Sequence, residues 1–455
     1  MEATERHRRR QRRHGDGARA WLPFAVACLG VLLATTGCTP DPVSRSRVDA
    51  GAAEAGSAPP AEAPSERSTG DDPATLAIRP GVEVLLSDSI VVIAAKRFGL
   101  ITNQTGVDSK RASTIDLLFE TGGLVALFSP EHGIRGVAEA GEIVDDAVDV
   151  RTGLPIHSLY GATREPMPGM LEGLDLLLFD IQDIGARYYT YASTMSLAMA
   201  VAGRAGVPFV VLDRPNPIGG DLVQGTVLDE GHASFVGLHP VPMRHGMTPG
   251  ELARLIVGEF GVAVDLRVIP AAGWRREMWL DETGLPWIPP SPNMPSLESA
   301  AHYPGTCLFE GTNLSVGRGT DRAFQQIGAP WLDADALAER LTGYGLPGVR
   351  FESATFTPEA PGDAKFDGDA VAGVRFVVTD RDAYDPASAA VAALLETRRL
   401  SGTNWEWRLE HFDRLAGTDL LRRQIERGVP LEEIVSGWSV RLRQFERLRE
   451  AYLLY

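Results

Sequence analysis

A carboxylate, an imidazole and a guanidinium close together are equipped for acid–base chemistry or for holding an anion. Glu131, His132 and Arg135 stand together in the stretch LVALFSPEHGIRG, residues 124–136. Its first part, Leu124 to Phe128, is apolar throughout and has the length of a strand buried on both faces. Ser129-Pro130 breaks the run, so the three polar residues fall at its carboxyl end, where open α/β sheets bind their ligands. Three further apolar runs end in the same way. FGLITNQ delivers Asn103 and Gln104, LDLLLFDIQD delivers Asp180 and Asp183, and VPFVVLDRPN delivers Asp213, Arg214 and Asn216. Four strands aiming polar ends at one edge describe a site. Singly, each residue also has an ordinary structural reading: Asn103 as a turn cap, Asp213 as a helix cap or arginine partner. Together they weigh more, because a buried acid is costly unless it is paired or employed. Just after Asp183, Arg187-Tyr188-Tyr189-Thr190-Tyr191 adds a guanidinium and aromatic faces, which suit a sugar ring and equally suit packing.

The elements that must position these residues alternate between strand-like and helix-like stretches from about Ile78 onward. Ser89 to Ala95, Leu124 to Phe128, Leu174 to Phe179 and Pro208 to Leu212 read as strands. Ser113 to Glu120, Pro166 to Glu172 and Thr194 to Arg204 read as helices. That order implies βαβ units and an α/β fold with a mainly parallel sheet. No glycine-rich dinucleotide fingerprint and no P-loop follows any of the strands, so no nucleotide cofactor is expected. Glu131, His132 and Asp180, with His245 after Arg244, are metal-type side chains, but no helical H-E-x-x-H pairing occurs and no metal is expected. There is no G-x-S-x-G elbow either, although Ser129 lies just before the histidine.

Further along, Thr248 and Glu251 form a capping box at the start of a helix. Trp287 to Pro295 is too proline-dense for helix or central strand and is expected as a rigid surface segment. Leu308 to Asp321 is a glycine-punctuated loop carrying Glu310, Asn313, Arg318 and Asp321. A substrate loop and a domain-joining loop fit it equally. Asp335 to Leu341, Pro386 to Arg398 and Leu420 to Arg427 read as helices, and Gly373 to Thr379 as a strand.

The 455 residues carry a formal net charge of −16. The first 37 residues are themselves basic, so the rest is more acidic still, a poor basis for polyanion binding. Without a basic stripe interleaved with aromatics, nucleic acid is not an expected partner. Residues 6–13 (RHRRRQRR) are a cationic n-region, and Trp21 to Ala34 is an apolar run short for a membrane span. With Thr35-Thr36-Gly37-Cys38 behind it, this resembles a bacterial lipoprotein signal over residues 1–38, with Cys38 lipidated and the protein exported and membrane-anchored. An ordinary secretory signal or an uncleaved anchor is the alternative. Residues 39–77, rich in Ala, Pro, Ser, Gly and Glu, cannot bury enough surface to offset their ordering entropy and are expected as a disordered tether. Of three cysteines only Cys307 lies beyond the leader, and it reads as a small buried hydrophobe.

From residue 101 to 321 the motifs ITNQTGVD, LFSPEHGIRG, AGE, TGLPIHSLYG, LLFDIQDIGARYYTYASTM, VLDRPNPIGG, VPMRHGMTPGELA, LPWIPPSPNMP and YPGTCLFEGTNLSVGRGTD run in order. This pattern resembles the NamZ-type exo-β-N-acetylmuramidase family. The resemblance implies a Rossmann-like catalytic domain over residues 78–302, a smaller C-terminal α/β domain over 303–455, and an active-site cleft between them. It implies a glycoside hydrolase releasing β-linked N-acetylmuramic acid from non-reducing ends of peptidoglycan fragments, with no cofactor. Such hydrolysis commonly uses an acid to protonate the leaving oxygen and a second carboxylate as base or nucleophile. Glu131 is the expected acid, its Pro130-Glu131-His132 setting favouring desolvation. Glu142 in the AGE motif is the expected second carboxylate, with Asp183 in reserve. Arg135, Arg187, Arg214 and Arg244 are candidates for the lactyl carboxylate, since a guanidinium fork matches a carboxylate. Asn103, His132, Asp180, Tyr188, Asn216, His245, Glu310, Asn313 and Arg318 complete the expected substrate-binding set. A non-catalytic peptidoglycan-binding lipoprotein and a cell-wall amidase or esterase are the competing readings.

Overall fold

The computed structural model describes residues 77–136, 138 and 141–455. The leader, Cys38, nearly all of the tether, and Ala140 of the AGE motif lie outside these residues. Everything described falls within one compact unit.

Among the described residues, twelve strands form three sheets. Seven of them, β1 (Phe98–Thr102), β2 (Leu124–Ser129), β3 (Ala147–Val148), β4 (Pro155–Ser158), β5 (Leu176–Asp180), β6 (Phe209–Leu212) and β9 (Leu266–Ile269), make the main sheet in the order β3-β4-β2-β1-β5-β6-β9. All its pairings are parallel except β3 on β4 at the edge. β7 (Gln224–Val227) and β8 (Pro242–Arg244) form a ribbon, while β10 (Gln326–Ala329), β11 (Val349–Phe356) and β12 (Val371–Val378) form a separate antiparallel sheet.

Period-two alternation explains why the central runs are apolar throughout. Phe98, Leu100, Leu176, Leu178, Val210 and Leu212 face one way, against Val82 and Leu85 of α1 (Gly81–Asp88) and Ile115 and Leu118 of α2 (Thr114–Phe119). Ile101, Leu177, Phe179, Phe209 and Val211 face the other way. There they meet α3 (Tyr191–Ala205) and α4 (Pro249–Glu259), the latter started by the expected Thr248–Glu251 capping box. Helix α5 (Leu297–Thr306) then leads to the last sheet, and the expected 302/303 junction falls inside it.

Two expectations of secondary structure change. Ser89–Ala95 is not a strand: Ile90–Val92 is a single 3-10 turn, with Val91 exposed and Ala95 left-handed (φ 58°). Pro80 starts α1 immediately upstream, and only Val92 and Ile93 of the run turn inward. The helix at Pro166–Glu172 shrinks to a 3-10 turn, Pro168–Leu171, ended by Gly173 at φ 76°. The proline-rich segment forms neither helix nor strand, but it is not merely surface: Pro290, Ser291 and Met294 are buried.

The chain order of the sheet reverses between β1 and β5. β2 and β4 lie on one side of β1, and β5, β6 and β9 on the other. Such a reversal opens a crevice at the carboxyl ends of the two strands, where the connections part company.

Candidate active site

Glu131 reaches this crevice through a tight turn. Past the end of β2, His132 (φ 71°) and Gly133 (φ 78°) are both left-handed, and Gly133 N–H donates to the Pro130 carbonyl at 3.0 Å. The loop passes so close to the end of β1 that a Cβ on Gly136 would lie 2.0 Å from the Gln104 side chain. Glu131 is only 6% exposed. Its Oε1 accepts from Gly141 N–H at 2.9 Å and its Oε2 from the Thr190 hydroxyl at 2.5 Å. Thr190 immediately precedes α3, so the carboxylate stands at the positive end of a 15-residue helix. His132 Nδ1 lies 2.7 Å from the Ala138 carbonyl and pins the same loop.

Asp183 enters from the neighbouring strand end. Its Oδ1 accepts from Gly185 N–H at 2.8 Å, a turn that needs Gly185 at φ 81°, where a Cβ would lie 2.5 Å from Asn216 Oδ1. Its Oδ2 is buried without a partner. Burial therefore dominates and pushes the carboxyl up to about 7, against the weaker pull of the Gly185 and Ile184 amides. Around the two acids stand Tyr189, Tyr191 and Asn103. Tyr191 donates to the Pro290 carbonyl at 2.5 Å and Gln104 Nε2 to the Pro289 carbonyl at 2.8 Å, so the proline-rich segment roofs the strand ends. Asn103 Oδ1 is taken by Thr105, through its amide at 2.9 Å and its hydroxyl at 2.6 Å. Asn103 Nδ2, Gln104 Oε1 and the Tyr189 hydroxyl are buried without partners.

Tyr160 completes the wall, although composition alone did not single it out. Ser158 ends β4 and pairs with Ser129 at the end of β2, so Tyr160 and Glu131 each stand two residues beyond a paired couple. Burial, then the adjacent Glu131 carboxylate, push its phenol up to about 12. The available signal was positional: an aromatic two residues past a short strand. For Thr190 it was a hydroxyl just before a helical run.

Most of the remaining expected residues do other work. Asp180 and Arg214 form a buried bidentate pair (2.5 and 3.0 Å), with the Thr114 hydroxyl on Asp180 at 2.5 Å. Arg187 donates to the carbonyls of Thr226, Val241 and Leu415 at 2.7, 3.0 and 2.7 Å. Arg244 serves Gln224 Oε1 at 3.0 Å and the Ile218 carbonyl. Arg135 is exposed and pairs with Asp149 at 2.8 Å. Asn216 links the Met247 carbonyl and Ile218 N–H, at 3.1 and 3.2 Å. Tyr188 donates to the Pro304 carbonyl, and His245, which burial lowers to about 3, accepts from Met247 N–H at 3.2 Å. Glu310 and Arg318 pair at 2.5 Å, and Asn313 ties to Asn404 and Glu406 at 2.8 and 3.1 Å. Glu142 is exposed, unlike Glu131 and Asp183. Among the described residues no three His, Cys, Asp or Glu side chains converge as a metal site would require. The arrangement offers two carboxyls in contrasting environments, with neutral hydrogen-bonding and aromatic groups around them.

Comparison with known proteins finds relatives similar in architecture and sequence. Residues 98–298 match the family described as exo-beta-N-acetylmuramidase NamZ, N-terminal, and residues 301–455 its C-terminal counterpart. The peptidoglycan beta-N-acetylmuramidase NamZ of Bacillus subtilis (strain 168) is 45% identical over 381 residues, covering 83% of this chain and 91% of that protein. Two crystal structures of DUF1343 family proteins from Bacteroides fragilis NCTC 9343 superimpose with TM-scores of 0.78 and 0.69, at 38% and 31% identity. Each comparison covers 83% of this chain and 99% of the other.

Proposed function

We infer, from the premise that this chain belongs to the exo-β-N-acetylmuramidase NamZ family, that it hydrolyses the β-glycosidic bond of N-acetylmuramic acid at non-reducing ends of peptidoglycan fragments. The observation that carries the chemistry is the contrast between Glu131 and Asp183. Glycoside hydrolysis divides labour between a carboxyl that gives a proton and one that supports charge or activates water. Paired titratable groups with diverging environments mark that division.

Asp183, buried and pushed up to about 7, holds a proton near neutrality, which supports the reading that it gives that proton to the glycosidic oxygen. Glu131 accepts hydrogen bonds on both oxygens at the start of α3, a setting for a carboxylate that faces the anomeric carbon or orients water. The proton donation expected of Glu131 is thus better assigned to Asp183, and the second-carboxylate role expected of Glu142 to Glu131. As the anomeric bond breaks, its electron pair and the proton go to the departing sugar's oxygen. Water supplies the new anomeric hydroxyl, and its remaining proton restores the acid. Asn103, Gln104 and Tyr189 supply partnerless polar atoms suited to sugar hydroxyls and the acetamido group.

The cationic leader and Cys38 support export with a lipid anchor, which would hold the enzyme at the membrane near peptidoglycan debris. The central test is turnover of a chromogenic β-N-acetylmuramide, with the N-acetylglucosaminide and Glu131→Gln as controls. The substituted amide keeps the size and shape of the carboxylate, so the variant should fold and lose about 100- to 10,000-fold in kcat. Binding of muramic sugars without any turnover would replace the enzyme reading with a binding protein.

A further inference from the structure

We propose that Arg164 reads the lactyl carboxylate of muramic acid and thereby gives the site its preference for muramic over glucosamine sugars; this rests on the muramidase reading above. The starting point is an imbalance. The chain carries a formal charge of −16 and its crevice presents carboxyls, yet the proposed substrate is itself an anion. A local cation has to receive it, and the arginines nearest in sequence to the strand ends are engaged elsewhere. Arg214 is bound to Asp180, Arg187 to three carbonyls, Arg244 to Gln224 and Ile218, and Arg135 to Asp149.

Arg164 differs from all of them. It is exposed, and among the described residues its guanidinium has no ion-pair or hydrogen-bond partner. What holds it is aromatic: its central carbon lies 5.1 Å from the Tyr160 ring centroid and 4.5 Å from that of Phe235. The two rings are 5.7 Å apart and tilted by 46°. Contacts of this kind hold the guanidinium without consuming its N–H donors, which stay available for the fork-to-fork recognition of a carboxylate. The turn beneath it is also pinned. Gly161 N–H donates to the Thr163 carbonyl at 3.2 Å and Glu165 N–H to the Thr163 hydroxyl at 3.1 Å. The adjacent acid, Glu165, faces Arg204.

Position completes the argument. Tyr160 and Glu131 each stand two residues past the Ser158–Ser129 pair, the phenol lies beside the carboxylate, and the ring carries Arg164. The guanidinium therefore rests on the same ring whose phenol neighbours the carboxylate assigned to the anomeric centre. The lactyl group projects from a ring carbon of that same sugar, so one substrate ring spans the two. An N-acetylglucosamine ring would leave Arg164 without a partner.

The test compares a chromogenic β-N-acetylmuramide with its lactyl-amide analogue, which is the same size but uncharged. Wild type, Arg164→Met and Arg164→Lys are assayed alongside thermal unfolding. Wild type should favour the carboxylate by about 10- to 100-fold in kcat/KM, the worth of a charged hydrogen-bonded pair. Arg164→Met should bring the ratio close to one, and Arg164→Lys should fall between. A preference that survives in Arg164→Met, or equal losses on both substrates, overturns the assignment. If wild type turns over neither compound, the muramidase reading itself fails and takes this inference with it.

Discussion

Replacing Asp183 with Asn removes a titrating group while leaving its shape and its acceptor for Gly185 N–H in place. The carboxyl has an ordinary value of 3.8 and is pushed up to about 7 by burial. Folding therefore takes up a proton between those values. This contribution to stability is intact below 3.8, falls as pH rises toward 7, and is flat above. At 1.36 kcal/mol per pH unit, the wild-type carboxylate costs the folded state roughly 4 kcal/mol above neutrality. The amide carries no cost of that kind. It does place a second polar atom where Asp183 Oδ2 already lacks a partner, a cost of about 1–3 kcal/mol at every pH. The signature is thus a slope, not a level: Asp183→Asn should gain on wild type as pH rises from 4 to 8. Urea unfolding of both proteins across that range reads it directly, and other raised acids such as Asp213, common to both, cancel in the difference. The same variant should lose about 100- to 10,000-fold in turnover of the muramide. Parallel stability curves would show that Asp183 is not raised. Near-normal turnover would remove it as the acid.

Arg187→Met should be a stability variant, not a specificity variant. It strips donors from the carbonyls of Thr226, Val241 and Leu415, at a cost of about 3–5 kcal/mol, measured as a lower urea midpoint. A raised KM for the muramide at an unchanged midpoint would return Arg187 to the substrate. Cys38→Ala should move the protein from the membrane fraction to the soluble fraction of fractionated cells. Unchanged membrane retention would argue for an uncleaved anchor instead of a lipid.

The sheet was legible because its central strands are buried on both faces, which leaves unbroken apolar runs that stop at polar residues. The same signal misled at Ser89–Ala95, where a β-branched run packs only Val92 and Ile93 inward and never pairs. β4 was missed because it is four residues long and contributes a single core side chain, Ile156, and with it went Tyr160. The roles of the arginines were illegible for another reason. Their partners are backbone carbonyls and acids brought close only by the fold, Leu415 lying 228 residues from Arg187. A sequence shows where a guanidinium stands, not which oxygens surround it.

The polar strand ends are of two kinds, told apart by their partners. Asp180 is the last residue of β5, and Asp213 the first beyond β6. Both are fully buried and saturated, Asp180 by Arg214 and Thr114, Asp213 by Thr248, Gly250 and Tyr455. Other polar residues past the strand ends differ. Asn103 and Gln104 beyond β1 and Asp183 beyond β5 each keep a buried polar atom without a partner. An unpaired buried polar atom costs about 1–3 kcal/mol, so a group of them at one crevice is hard to retain unless a ligand satisfies them. Partners, not height above the sheet, sort the residues: Arg214 and Asn216, two and four residues past β6, are as fully engaged as Asp180, whereas Asn103, one residue past β1, keeps a free donor. Glu131, two residues past β2, has both oxygens engaged, but by the Gly141 amide of its own loop and the Thr190 hydroxyl at the start of α3, where Asp180 is held by the Arg214 guanidinium.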